Sequence, residues 1–99
     1  MVNNLTRSQT RFLRGLAHGL KPVVTVGNNG LTEGVLAELE LALDTHELVK
    51  LKLRGDRDQR SGWIDTVRDS TGAAVVQQIG QVCCLYRPHP EKPQLALPR

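Results

Sequence analysis

Gly27, Asn28, Asn29 and Gly30 are the residues whose types and spacing could do chemistry, and that chemistry is the non-covalent holding of an anion. A β-branched run, Val23–Val26, ends at this Gly-x-x-Gly loop, and an amphipathic helix pattern starts straight after it. Two glycines let the backbone turn tightly and approach another molecule with no Cβ in the way. The first amides of the helix that follows lack partners inside it, and the positive end of its dipole lies behind them. Such a place suits a phosphate. Arg7, Arg11, Arg14 and Lys21 all precede the loop, while the first carboxylate is Glu33. By itself a Gly-x-x-Gly run most often makes only a tight strand-to-helix turn. It is the charge around this one that favours a ligand.

Covalent chemistry is not expected. His18, His46 and His89 are scattered, and no His or Cys pair has zinc-site spacing. The loop lacks the lysine and hydroxyl of a nucleotide-hydrolysing phosphate loop, and the third glycine of a dinucleotide fold. The expectation is a protein that is no enzyme, with no metal and no cofactor.

The elements that must position the loop read in order. Thr6 and Gln9 make a capping box for a first helix. Phe12, Leu13, Leu16, Ala17 and Leu20 share one face of it, and Arg7, Arg11, Arg14 and His18 line the opposite face. Gly19 is the expected stop. After the first strand and the loop, Thr32 caps a second helix whose buried stripe is Val35, Leu36, Leu39, Ala42 and Leu43. Glu33, Glu40, Asp44 and Glu47 fall on another flank of that helix, which would repel phosphate. Residues 48–54 alternate, with Val49, Leu51 and Leu53 on one side and Lys50, Lys52 and Arg54 on the other. Exposed strand lysines serve equally to protect a sheet edge or to contact RNA. Asp58 is expected to cap a third helix reaching about Thr71, with Gly72 closing it and Trp63 anchoring it to the core. Two strands follow, 74–79 and 82–86, joined by a hairpin whose turn is Gly80-Gln81. Residues 1–88 read as the domain. Residues 89–99 read as a proline-rich tail, extended and loosely held. The fold class is α/β, a compact α-β-α-β-α-β-β domain with a four-stranded mixed sheet. Its helices are expected on one face, its sheet largely parallel apart from the hairpin.

Ninety-nine residues fit one domain with one aliphatic core, since aromatic residues are only 3% of the chain. A net charge of +3 is modest, but it is segregated. Residues 1–30 hold four cations and no acid, and residues 31–47 hold five acids and no cation. One basic and one acidic side are expected. No stretch is long and apolar enough to span a bilayer, and no secretory leader is evident. Adjacent Cys83 and Cys84 should point to opposite faces of a strand and not pair. A cytoplasmic monomer is expected.

The run from Gly15 to Val24, continuing through Val26-Gly27-Asn28-Asn29-Gly30-Leu31-Thr32-Glu33-Gly34-Val35, strongly resembles the CRM domain, and within it the stand-alone bacterial YhbY family. His46-Glu47-Leu48-Val49-Lys50, Thr71-Gly72-Ala73, Ile79-Gly80 and Leu85-Tyr86-Arg87-Pro88 extend the resemblance over nearly the whole chain, with residues 57–66 matching least. The resemblance implies a fold similar to the C-terminal domain of translation initiation factor 3, with a loop like the one by which KH domains clamp nucleotides. It implies RNA as partner, ribosomal RNA in large-subunit precursors, and a role in ribosome assembly. By position it makes Gly27, Asn28, Asn29 and Gly30 the RNA contact, flanked by the basic first helix and Lys21. The alternative is a module docking on ribosomal proteins through its acidic flank and the open sheet face, with RNA contact secondary.

Overall fold

The computed structural model describes residues 5–98, so residues 1–4 and 99, the outer ends of the two expected segments, lie outside it. Helix α1 (Arg7–His18) begins at the expected capping box: Thr6 Oγ1 accepts the Gln9 amide at 3.1 Å and Gln9 Oε1 accepts the Thr6 amide at 3.0 Å. Strand β1 (Val24–Val26) leads into the loop, and Thr32 caps α2 (Glu33–His46) by accepting the Val35 amide at 3.1 Å. Strand β2 (Leu48–Leu53) follows. Helix α3 (Arg57–Thr71) is capped by Asp56, not Asp58, because Gln59 stands three residues beyond Asp56 and completes a second capping box. Gly72, at φ +70, closes α3 in the left-handed conformation that glycine adopts without strain. Strands β3 (Ala74–Ile79) and β4 (Val82–Tyr86) complete the chain, turned at Gly80 with φ +55.

The sheet order is β1-β2-β4-β3. Only β1 and β2 are parallel, and β4 is antiparallel to both β2 and β3. The sheet is therefore mostly antiparallel, against the expectation of a largely parallel one. The reason is the composition of β4. Cys83, Cys84, Leu85 and Tyr86 are all buried, so both faces of that strand need cover and it takes a central place. β3 ends in Gln77, Gln78 and a 65% exposed Ile79, which suits an edge.

Helices cover both sheet faces, not one. Leu39 and Leu43 of α2 and Ile64 and Val67 of α3 pack with Val24, Val26, Val49, Leu51, Leu53, Cys83 and Leu85. On the other face Leu13 and Ala17 of α1 pack with Leu48, Val76, Cys84 and Tyr86. The β2 alternation alone suggests an open face because it shows lysines there. The apolar floor under α1 comes mainly from β3 and β4. Cys83 and Cys84 fall in different clusters, on opposite faces as their adjacency requires.

The tail is docked, not loose. Leu95 and Leu97 pack on the α1 face, and Gln9 Nε2 donates to the Pro98 carbonyl at 3.0 Å. Glu47 is the clasp. Expected on an exposed acidic flank, it is fully buried at the end of α2 with φ +64, a conformation unusual outside glycine. Its carboxylate accepts the His89 amide at 2.6 Å and those of Gln94 and Leu95 at 2.9 Å each. Burial opposes its charge, but the amides of His89, Leu95 and Gln94 outweigh it and hold this carboxyl below its ordinary value.

Candidate functional site

The loop leaves the sheet at the C-terminal end of edge strand β1, where the Arg54 amide donates to the Val26 carbonyl at 2.8 Å. Gly27 and Gly30 then close a turn, the Gly30 amide donating to the Gly27 carbonyl at 2.9 Å. Asn28 and Asn29 form its exposed tip. Gly30 stands at φ +68, which favours glycine there. Gly27 needs no such conformation, and a Cβ built on it would meet nothing within 4 Å. The fold therefore does not require glycine at position 27.

The turn rests on α3. A Cβ on Gly30 would lie 3.5 Å from the Trp63 indole nitrogen, and one on Gly55 would lie 2.7 and 2.8 Å from the far edge of the same ring. Trp63 is thus wedged between the loop and the β2–α3 connection, packed on the core as expected. Arg60 Nη1 holds the Gly55 carbonyl at 2.8 Å. Gly55 was not legible as a site residue. Its signal is the near-contact with a ring eight positions later, which only coordinates reveal.

Among the described residues, the amides of Asn28, Asn29 and Leu31 donate to no protein acceptor. The helix end is partly taken: Thr32 caps the Val35 amide, and Glu33 sits in the first turn. The open donors are consequently those of the turn more than those along the α2 axis. Thr25 is exposed on β1 and pairs in register with Lys52, and Arg54 adjoins the loop's entry. Lys50 lies two residues back on the same side of β2, and Lys21 lines the same groove as Lys50. The loop, Lys52 and Arg54 are brought together, with Lys50 and Lys21 continuing along the sheet edge.

The α1 cations stand elsewhere. Arg14 Nε donates to the Val76 carbonyl at 2.7 Å, which ties it to β3, the opposite edge of the sheet. Three strand spacings and the offset along the strands put that guanidinium roughly 20 Å from the turn. Arg7, Arg11 and Arg14 line a shallow surface of their own with Leu5 and Thr10, and His18 is exposed in the last turn of α1. The structure thus divides the cations into a β1–β2 group and an α1 group. Among the described residues, ion pairs involve only Arg68 and Arg87, so both groups are unneutralised. The acidic flank of α2 is largely spent internally. Arg87 reaches Glu40 at 2.8 Å and Asp44 at 2.9 Å while also donating to the Thr71 carbonyl at 2.9 Å, and Glu47 is buried.

The described residues hold no group of three His, Cys, Asp or Glu side chains placed to bind a metal, and no helix among them is long and apolar enough to cross a membrane. Burial pushes the Cys83 thiol up to about 12 and the Cys84 thiol upward as well, which makes neither a nucleophile at neutral pH.

An edge strand, a glycine turn with free amides and a helix behind it make up the candidate site. The profile of the CRS1 / YhbY (CRM) domain matches residues 5–87. The chain belongs to the CRM domain family. It is 50% identical over 99 residues to a Haemophilus influenzae protein named RNA-binding protein, covering 99% of each chain. It is 46% identical over 88 residues to a Pseudomonas aeruginosa protein named as a probable RNA-binding protein, covering 88% of this chain and 85% of that one. The fold matches the solution structure of a hypothetical protein from Staphylococcus aureus with a TM-score of 0.79 at 30% identity, over 95% of this chain and 99% of that one.

Proposed function

We propose that this CRM-domain chain binds RNA at the Gly27–Gly30 turn, through the free amides of Asn28, Asn29 and the adjoining Leu31, with Lys52 and Arg54 beside the turn and Lys21 and Lys50 along the strand. The observation that carries the reading is the turn itself. Its tip is exposed, three of its amides have no acceptor in the protein, and the absent Cβ of Gly27 serves no packing need. An anionic backbone supplies what those amides lack. Arg7, Arg11, Arg14 and His18 form a second basic surface that a longer RNA engages around the other edge of the sheet.

The RNA we propose is ribosomal RNA in precursors of the large subunit, and the role is assistance in ribosome assembly, carried out without catalysis in the cytoplasm by a monomer. The family and the names of two bacterial relatives support RNA as the ligand, and the ribosomal assignment rests on the resemblance to the stand-alone bacterial CRM proteins. Docking on ribosomal proteins through α2 has less to recommend it, because Arg87 already occupies Glu40 and Asp44. Crosslinking the protein to RNA in cells and sequencing the attached fragments tests the assignment. Fragments concentrated in large-subunit ribosomal RNA support it, and fragments spread over messenger RNA overturn it.

A further inference from the structure

Helix α1 buries only part of its apolar face. Leu13 and Ala17 are fully covered, but Phe12 and Leu16 on the flank beside them, and Leu20 just past the helix, remain 37%, 40% and 39% exposed. Val23, just before β1, is 53% exposed. Leu16, Leu20 and Val23 line one open groove with Leu48 beneath, and Phe12 extends the helical stripe by one turn. Lys21 and Lys50 stand in the groove wall with His46, and no carboxylate lines it.

Grouped apolar side chains left in water mark a binding surface more often than an accident of folding. An apolar floor between cations suits a ligand made of flat apolar faces joined by anionic links. Position narrows the choice. Val23 and Gly27 flank the two ends of edge strand β1, about 13 Å apart, the reach of a few nucleotides. A strand whose backbone is held at the turn arrives at this groove by following β1. An acidic protein helix would satisfy the groove but would have no use for the turn.

We propose that this groove takes unpaired nucleobases of the same RNA strand that the turn holds, so that the protein prefers a single-stranded segment over a duplex. The proposal rests on the RNA-binding reading and deepens it. A duplex hides its base faces in the stack, whereas an unpaired strand can splay bases onto apolar side chains. Aliphatic side chains offer a base apolar contact without hydrogen-bond readout, so the groove should not discriminate among bases.

The test compares an unpaired RNA oligonucleotide with the same oligonucleotide annealed to its complement, using the full chain. Leu16→Ser with Val23→Ser should weaken the unpaired form by about tenfold and leave the duplex within about twofold, since each base contact is lost only where a base is free. Both positions are half-exposed, so the fold should hold. The single Val23→Thr, which keeps the branched shape, should act in the same direction with a smaller effect. Equal affinity of the unaltered protein for the two RNA forms, an equal loss on both, or no loss on either would overturn the groove. In those cases a loss of binding in Asn28→Asp with Asn29→Asp would leave the RNA-binding reading standing. Absence of RNA binding by the unaltered protein would remove both.

Discussion

Glu47→Gln tests how the tail is held, and its magnitude follows from three hydrogen bonds. One carboxylate oxygen accepts the His89 amide at 2.6 Å, and the other accepts Gln94 and Leu95 at 2.9 Å each. Glutamine offers a single acceptor oxygen and turns an NH2 toward the remaining amide. At least one buried donor is then unpaired, and the other bonds lose their charge assistance. Together these cost about 2–4 kcal/mol. The backbone at φ +64 and ψ −46 is disfavoured for any side chain by about 1–3 kcal/mol, and the substitution does not relieve it. The urea midpoint should fall, and hydrogen exchange should accelerate first at the amides of His89, Gln94 and Leu95. A pH series gives the sign independently. The folded pKa of Glu47 is depressed, so its stabilisation is complete above the ordinary glutamate value of about 4.3 and is lost as pH falls through the lower folded value. The glutamine variant should lack that acid step. An unchanged midpoint with unchanged protection of the three amides would refute the clasp.

Other substitutions separate folding from binding. Gly27→Ala should leave stability within about 0.5 kcal/mol, since its Cβ meets nothing and its φ is ordinary, yet weaken RNA binding; thermal melts and a titration check both. Gly55→Ala should destabilise by about 1–3 kcal/mol, because its Cβ would fall 2.7 Å from the Trp63 ring, and the fluorescence of this sole tryptophan should shift as the ring is displaced. Cys83 and Cys84 should resist alkylation in the native protein at neutral pH and react once it is unfolded in urea.

The order and type of the elements were legible because each carries a local signal. Thr6 with Gln9, Thr32, Gly72 and Gly80 mark ends whose chemistry depends on neighbours within four residues. Strands β3 and β4 have the bounds that their patterns suggest. What escaped is set by distant partners. The place of β4 between β2 and β3 depends on which strand needs two covered faces, and the position of α1 depends on Val76, Cys84 and Tyr86 far along the chain. Glu47 reads as one more acid on a flank because its three partners lie more than forty positions away. The same limit governs the site. The turn and its exposed tip were readable, as was the role of Trp63 as an anchor. The separation of Arg14 from the turn was not, since helical periodicity places it on a face without saying which sheet edge that face overlooks.

The central claim is that the free main-chain amides of Asn28, Asn29 and Leu31 at the Gly27–Gly30 turn receive an RNA phosphate, and Asn28→Asp with Asn29→Asp measures it most directly. Both side chains are exposed at the tip, so melting should be unchanged. Two carboxylates placed where a phosphate must sit should lower RNA affinity by tenfold or more, roughly, at moderate salt. For the unaltered protein, four contacts from Lys21, Lys50, Lys52 and Arg54 predict a log–log salt slope of about −3 on single strands. A folded double variant that binds RNA as tightly as the unaltered protein, with the same salt slope, would contradict the account.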